Sequence, residues 1–292
     1  MYPAPFEYSA PRSLDEALAR LAEVGEEGRV LAGGQSLIPM MKLRLAEPAH
    51  LVDINRIPGL DQIGNDNGHL TVGALVRHAQ VVDSDLVTAQ SSLMASAAPW
   101  ISDPLVRNRG TLCGSVAHCD PEGDWNSVML ALGATVIARS AGGERRIPIA
   151  EFVTDFFTNS LQPGEMVVGV EVPKDGPRSG GNYLKLERKI GDYATVGVAT
   201  QIALDDGGKV ASAGLALTSV GSINVAVAEA SQMMEGEEPT PELFAEVGNL
   251  ASMMCGPEDD VRGPAEYKRA VVKTYTERGF AKALATAQQE VA

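Results

Sequence analysis

The sequence predicts an α+β chain built from three units, and three observations carry that reading. Apolar runs of strand length alternate with short helical periodicities up to Pro173. Residues 174–182, rich in Lys, Asp, Gly, Pro and Ser, read as a linker. Beyond them come antiparallel strand signals and then helices alone.

Composition bounds the function. A chain of 292 residues is long enough for two or three domains. Its 45% hydrophobic and 21% charged residues are ordinary for a folded soluble protein. A net charge of −14 argues against non-specific nucleic-acid binding. It does not exclude an anionic cofactor, because backbone dipoles can hold phosphate. The N-terminus carries no basic segment leading into an apolar one, and no apolar run is long enough for a bilayer, so a cytoplasmic protein is expected. The three cysteines, Cys113, Cys119 and Cys255, form an odd set without framework spacing, as in a reducing compartment.

The elements follow in order. Ser13 is a good N-cap with Glu16 placed for a capping box, and Leu14, Ala17, Leu18, Leu21 and Ala22 recur at helical spacing until Gly25. Residues 29–32 read as a strand, 37–45 as a short apolar segment in which Pro39 could open a helix, and 50–54 and 70–73 as further strands. Helices are expected over 75–84, 92–98 and 126–133. Residues 134–138 and 144–149 form a hairpin around Ala141-Gly142-Gly143, and 165–172 a strand closed by Pro173. Strands over 183–186, 196–204 and 209–217, with Asp205-Asp206-Gly207-Gly208 as a tight turn, precede helices over 228–234, 241–255 and 264–287.

Two glycine loops hold most of the functional information. Ala32-Gly33-Gly34-Gln35-Ser36 follows an apolar strand, and Gly110-Thr111-Leu112-Cys113-Gly114-Ser115 lies far downstream. Small residues let backbone N–H groups approach an anion, and two such loops could grip the two halves of a pyrophosphate. The first loop, with Asp53 about twenty residues on, invites a dinucleotide-fold reading. Its adjacent glycines, Pro39 and the opening helix count against that, and a mere turn is the alternative. Neither loop is a P-loop or a G-x-S-x-G elbow. Asp124 reads as an N-cap and as a carboxylate for sugar or ribityl hydroxyls, and both roles can hold at once. Cys113, His118 and Cys119 match no zinc or iron–sulfur spacing, and small packed thiols are the better reading. His50, His69 and His78 are isolated, and no catalytic residue is assigned. Met40-Met41 and Met233-Met234 read as core fillers. Arg107-Asn108-Arg109 is a solvated turn, a phosphate contact or a subunit contact. Lys185, Arg188 and Lys189 make a second basic spot before Gly191-Asp192-Tyr193, where Tyr193 either packs on a flat ring or is a half-buried strand residue.

Taken in order, these segments resemble a family. Residues 32–44 (Ala-Gly-Gly-Gln-Ser-Leu-Ile-Pro-Met-Met-Lys-Leu-Arg) resemble the first FAD loop of the medium, flavin-binding subunits of molybdenum hydroxylases. Thr111-Leu112-Cys113-Gly114-Ser115 with Asp120-Pro121 and Asp124 resembles the second loop, and residues 185–195 the strand near the flavin. The likeness extends over essentially the whole chain and is greatest to aerobic carbon monoxide dehydrogenase medium subunits, within the xanthine dehydrogenase family.

The resemblance implies a two-domain FAD-binding fold of the vanillyl-alcohol oxidase (PCMH) type plus a C-terminal antiparallel sheet with a helical bundle. The implied units are residues 1–55, 56–175 and 176–292. It implies an oxidoreductase subunit carrying FAD, with molybdopterin in a large partner subunit and two [2Fe–2S] clusters in a small one, usually as a dimer of heterotrimers. Any membrane association would come through that complex. Electrons pass from the clusters through FAD to an external acceptor. The cysteine count agrees, since each cluster needs about four protein ligands. By the same resemblance, Ala32, Gly33, Gly34, Gln35 and Ser36 wrap the pyrophosphate together with Thr111, Gly114 and Ser115, and Leu37 and Cys113 belong to the same cofactor-binding set. Asp124 binds ribityl or ribose hydroxyls, and Ile101, Leu161 and Tyr193 lie near the isoalloxazine. Many members have Gly at Cys113, where a Cys fits only with negative φ, and His at Gln35. For the substrate the resemblance points first to carbon monoxide and leaves N-heterocycles, purines, aldehydes and aromatic thioesters open. The competing readings are a stand-alone flavin oxidoreductase and a non-enzymatic nucleotide-binding module.

Overall fold

The computed structural model describes residues 2–289. The chain opens with a small parallel sheet of β1 (Glu7–Ser9), β2 (Gly28–Leu31) and β3 (His50–Asp53), in the order β1-β3-β2. Parallel neighbours need crossovers, which α1 (Leu14–Val24) and α2 (Leu37–Leu43) supply. The apolar stripe of α1 buries Ala17, Leu18 and Leu21 against Val52 and Ile54. Ser13 caps α1 through the Glu16 N–H, but the expected capping box does not close. With Ser13 extended (φ −134°, ψ 158°), the N–H that the Glu16 carboxylate finds at 2.9 Å is that of Arg12. Pro39 sits within the first turn of α2, where its missing N–H costs no intrahelical bond.

The middle of the chain folds around a five-stranded antiparallel sheet. Its strands are β4 (Ile63–Asp66), β5 (His69–Gly73), β6 (Thr135–Ser140), β7 (Gly143–Pro148) and, at its centre, a strand from 166–173. Six helices lie between β5 and β6: α3 (His78–Val82), α4 (Asp85–Gln90), α5 (Ser92–Ala97), α6 (Pro104–Arg107), α7 (Leu112–His118) and α8 (Asp124–Leu132). After β7 come α9 (Ile149–Phe152), the two-stranded β8 (Val153–Asp155) and β9 (Thr158–Asn159), and then β10 (Met166–Pro173), giving the order β4-β5-β10-β6-β7. Leu70, Val72, Val136 and Val170 pack with Leu112, Trp125 and Met129 as one core. The helix expected over 75–84 shrinks to α3, because the backbone of 76–78 pairs instead with 110–112. α8 starts two residues before the expected 126, with Gly123 as its N-cap.

The third sheet is antiparallel, in the order β11 (Ser179–Glu187), β12 (Ala194–Leu204), β13 (Val210–Thr218) and β14 (Val225–Ala226). Strand β11 begins inside the expected 174–182 linker, and the preceding Asp175 is anchored: its carboxylate accepts from Ser92 N–H and Oγ and from Gln201 Nε2. One face of this sheet, with Val196, Val198 and Ile202, is covered by α10 (Ala228–Met234), α11 (Pro241–Met254) and α12 (Ala265–Gln289). The other face, with Tyr183, Ala199 and Ala216, joins the middle core. Burial on both faces explains why β12 reads as an almost unbroken run of small and apolar residues. The contacts are close. A Cβ on Gly214 would strike the Ala131 carbonyl of α8, and one on Gly180 the Ala283 carbonyl of α12. Among the described residues no helix is long and apolar enough to cross a membrane.

Candidate functional site

The two glycine loops meet. β2 ends at Leu31, and Ala32–Ser36 turns the chain into α2. Gly34 holds φ +71°, a left-handed conformation that suits glycine. Gly33 lies against the second loop, where a Cβ would strike the Arg109 carbonyl and come within 2.7 Å of the Gly110 Cα. Among the described residues, the backbone N–H groups of 33–37 have no acceptor in the protein, and Ser36 makes no side-chain cap bond. These are free donors beside a helix N-terminus, the arrangement that holds phosphate.

The second loop is shorter than the sequence implies, because residues 112–118 form helix α7. Thr111 is its N-cap, and its Oγ1 accepts from the Gly114 N–H at 3.1 Å. A Cβ at Gly114 would sit 2.5 Å from that oxygen. Cys113 takes the helical backbone without strain. Its Sγ lies 3.4 Å from the Val72 carbonyl, and burial pushes the thiol up to about 12, which makes it a packing group.

A cavity of about 1440 Å³ opens beside both loops. It exceeds the roughly 300–1,000 Å³ of ordinary small-molecule pockets and has room for an extended dinucleotide. It brings together all fourteen candidate residues: Ala32, Gly33, Gly34, Gln35, Ser36, Leu37, Ile101, Thr111, Cys113, Gly114, Ser115, Asp124, Leu161 and Tyr193. They come from all three sheets' surroundings, so the cavity is a junction. Gln35 turns its amide back onto the Gly33 carbonyl at 3.4 Å. Ile101 and Leu161 form apolar wall, and Tyr193, 49% exposed, stands just before β12 rather than within it. Arg107 donates to the Ile101 and Ser102 carbonyls at 3.0 and 2.8 Å, which makes it a brace for the Ile101 turn. Asp53 does not line the cavity. It accepts instead from the Tyr8 hydroxyl and from Asn55, so the dinucleotide-fold role fails on placement.

Asp124 corrects its N-cap reading: Gly123 caps α8, and Asp124 is the first helical residue. Its carboxylate is already held, accepting from the Tyr183 hydroxyl at 2.6 Å and from Lys185 Nζ at 2.9 Å. The Lys185 side chain is 1% exposed, and its ammonium also donates to the Trp100 carbonyl. Burial raises the Asp124 pKa, with Lys185 and the Tyr183 hydroxyl opposing that rise. Each carboxylate oxygen keeps a second lone pair for a ligand hydroxyl.

Sequence reading missed two further residues here. Trp125 Nε1 donates to His78 Nδ1 at 3.1 Å, which leaves the His78 proton on Nε2, and both rings border the cavity. Burial, then Arg107 and Arg77, lowers the His78 pKa to about 4. His78 was invisible as a site residue because it sits in a segment that reads as plain helix.

Residues 4–175 match the family model of the FAD binding domain in molybdopterin dehydrogenase, and 182–283 that of the CO dehydrogenase flavoprotein C-terminal domain. The chain is 38% identical to the 6-hydroxypseudooxynicotine dehydrogenase complex subunit alpha of Paenarthrobacter nicotinovorans, over 97% of this chain and 96% of that one. It is 37% identical to the carbon monoxide dehydrogenase medium chain of Hydrogenophaga pseudoflava, over 96% and 97%. Its fold matches the structure of carbon monoxide dehydrogenase from Hydrogenophaga pseudoflava lacking the Mo-pyranopterin moiety of the molybdenum cofactor, with TM-score 0.94, 38% identity, and 98% and 99% coverage. FAD fits the residues present. The free donors of 33–37 suit its diphosphate, and the apolar wall of Ile101 and Leu161 suits a flat ring.

Two expectations follow from the geometry. Lys185→Met strands a buried carboxylate and should destabilise the chain by about 3–5 kcal/mol, and adding Asp124→Asn should recover much of it. Thermal unfolding of the two single variants and the double variant checks this, and simple additivity would refute it. Between pH 6.5 and about 4 the unfolded state takes up a proton that buried His78 does not. Its contribution is therefore full above about 6.5 and lost as pH falls toward 4. His78→Asn should lower the thermal midpoint less steeply over that window than the parent does. By its two matched domains, full-length relatives and shared fold, this chain belongs to the FAD-binding medium subunits of the carbon monoxide dehydrogenase and molybdenum hydroxylase family.

Proposed function

We propose that this chain is the flavin subunit of a dimer of heterotrimers in the cytoplasm. In that complex a large subunit oxidises the substrate at molybdopterin. A small subunit with two [2Fe–2S] clusters delivers the electrons here, and they leave from here to an external acceptor. The observation that carries this reading is the cavity lined by both glycine loops, with the free N–H groups of 33–37 on one side of it.

When bound, FAD supplies the redox chemistry, and the protein supplies position and electrostatics. The loop 33–37 holds the diphosphate by backbone donors, and the first turn of α7, whose Leu112, Gly114 and Ser115 N–H groups are already bonded, adds the Thr111 and Ser115 hydroxyls and the Cys113 N–H. Asp124 offers its remaining lone pairs to ribityl or ribose hydroxyls and fixes the Lys185 ammonium. Ile101, Leu161 and Tyr193 confine the ring. No residue of this chain need transfer a proton to a substrate. The chain has three cysteines, all buried and free, which is fewer than one cluster requires and supports cluster-bearing partners.

Substrate choice is assigned to the large subunit. Two relatives at 38% and 37% identity are named for 6-hydroxypseudooxynicotine and carbon monoxide, so similarity in this chain follows the flavin task. A stand-alone flavin oxidoreductase would need a substrate site of its own in this chain.

The test uses Gly33→Val in the assembled complex. The variant side chain occupies the space where the loops touch, so extracted FAD should fall to a small fraction of the parent's. Reduction of the partner's clusters by substrate should persist, while turnover with the external acceptor falls at least about 100-fold, as for loss of a positioned redox group. Full acceptor turnover without FAD would refute the proposal.

A further inference from the structure

We propose that Arg77 is a positioning residue that sets the distance and orientation of the two loops for the bound flavin nucleotide. The inference rests on the reading of those loops as the FAD site and adds what holds them in place.

Arg77 does not line the cavity; it stands behind the loops, half-buried. Its guanidinium spans them. Nη1 donates to the Arg109 carbonyl of the second loop at 2.5 Å. Nη2 donates at 2.5 Å to Asn55 Oδ1, and Asn55 Nδ2 donates to the Ala32 carbonyl of the first loop at 2.8 Å. Asn55 is fixed in turn by Asp53, whose Oδ1 accepts from both its N–H and its Nδ2. The Tyr8 hydroxyl holds the other Asp53 oxygen at 2.6 Å.

The arrangement has a chemical consequence for an anion. In a planar trans peptide, N–H and C=O point in opposite directions. Asn55 draws the Ala32 carbonyl toward itself, so the N–H of Gly33, in the same peptide plane, is turned away from Asn55. That N–H is one of the donors without an acceptor. The clamp therefore takes up the loop's carbonyl and presents its donor. A carbonyl left free to face the diphosphate would repel it.

Arg77 is itself pinned to the second loop. The His78 N–H donates to the Gly110 carbonyl at 3.0 Å and the Leu112 N–H to the Val76 carbonyl at 3.2 Å. Its side chain then reaches from that anchored strand to the first loop, and the contact between Gly33 and Arg109–Gly110 is the spacing so fixed. Two acceptors taken at once by one planar fork is a task for guanidinium; a lysine ammonium lacks the fork.

The test compares Arg77→Met, Arg77→Lys and Asn55→Ala in the purified complex, with Gly33→Val as the reference for the site itself. FAD affinity is measured by adding FAD to depleted complex. Arg77→Met and Asn55→Ala should each weaken it by about 10- to 100-fold. Arg77→Lys should recover little of the loss, and low-millimolar guanidinium should restore affinity to Arg77→Met but not to Gly33→Val. The visible circular dichroism of residual bound FAD should differ from the parent's, since a shifted nucleotide sits in a different field. Should Arg77→Met fail to assemble, Asn55→Ala carries the test with the same expected loss. Affinity within about twofold of the parent in Asn55→Ala and any assembled Arg77→Met, or full recovery in Arg77→Lys, overturns the clamp. FAD retained by Gly33→Val would instead overturn the reading of the loops on which it rests.

Discussion

Everything in this site depends on how closely two backbones can approach. Gly33 touches Arg109 and Gly110 with no space for a Cβ between them. That contact joins the small parallel sheet to the middle unit at the edge of the cavity. A diphosphate needs donors from both sides at once, and side chains at the contact would hold those sides apart. Gly33 and Gly34, which permit the approach, leave their own N–H groups free at its edge before α2, whereas at α7 the N–H groups of Leu112, Gly114 and Ser115 are taken up by Val76 and Thr111.

The third sheet acts on the site through packing and through the buried Lys185 ammonium, 2.9 Å from the Asp124 carboxylate and 3.7 Å from that of Glu187. Its two faces are occupied, one by α10–α12 and the other by the middle core. From the second face Tyr183 and Lys185 reach Asp124 at the start of α8. A buried pair of this kind adds little net stability but is costly to break. Its use here is geometric: it fixes the register of the third sheet against α8 at the cavity wall. A flavin subunit has no bond to break in a substrate, so accurate placement is the work that its residues perform.

Much of this was legible in the sequence. The glycine pairs marked the loops because few side-chain types allow such approach. Alternation marked the strands, and Asp205-Asp206-Gly207-Gly208 marked its turn. The errors fell where tertiary pairing overrides local preference. Residues 75–77 have helical character but pair with 110–112, and the polar 174–182 segment contains the start of β11 because Asp175 finds Ser92 and Gln201. The Arg77–Asn55 bridge was hardly legible, since its ends on the two loops are the backbone carbonyls of Ala32 and Arg109, which no sequence pattern encodes. The one available signal was the Asp53-x-Asn55 turn after a strand, an Asx motif that fixes Asn55 locally.

On this account one FAD is held by both loops together. Hydrogen exchange of the FAD-depleted complex, with and without added FAD, tests it most directly. FAD should slow exchange at residues 33–37 and at 111–115 in the same titration, with a common midpoint. Protection confined to one loop, or absent from both while FAD binds, would contradict it.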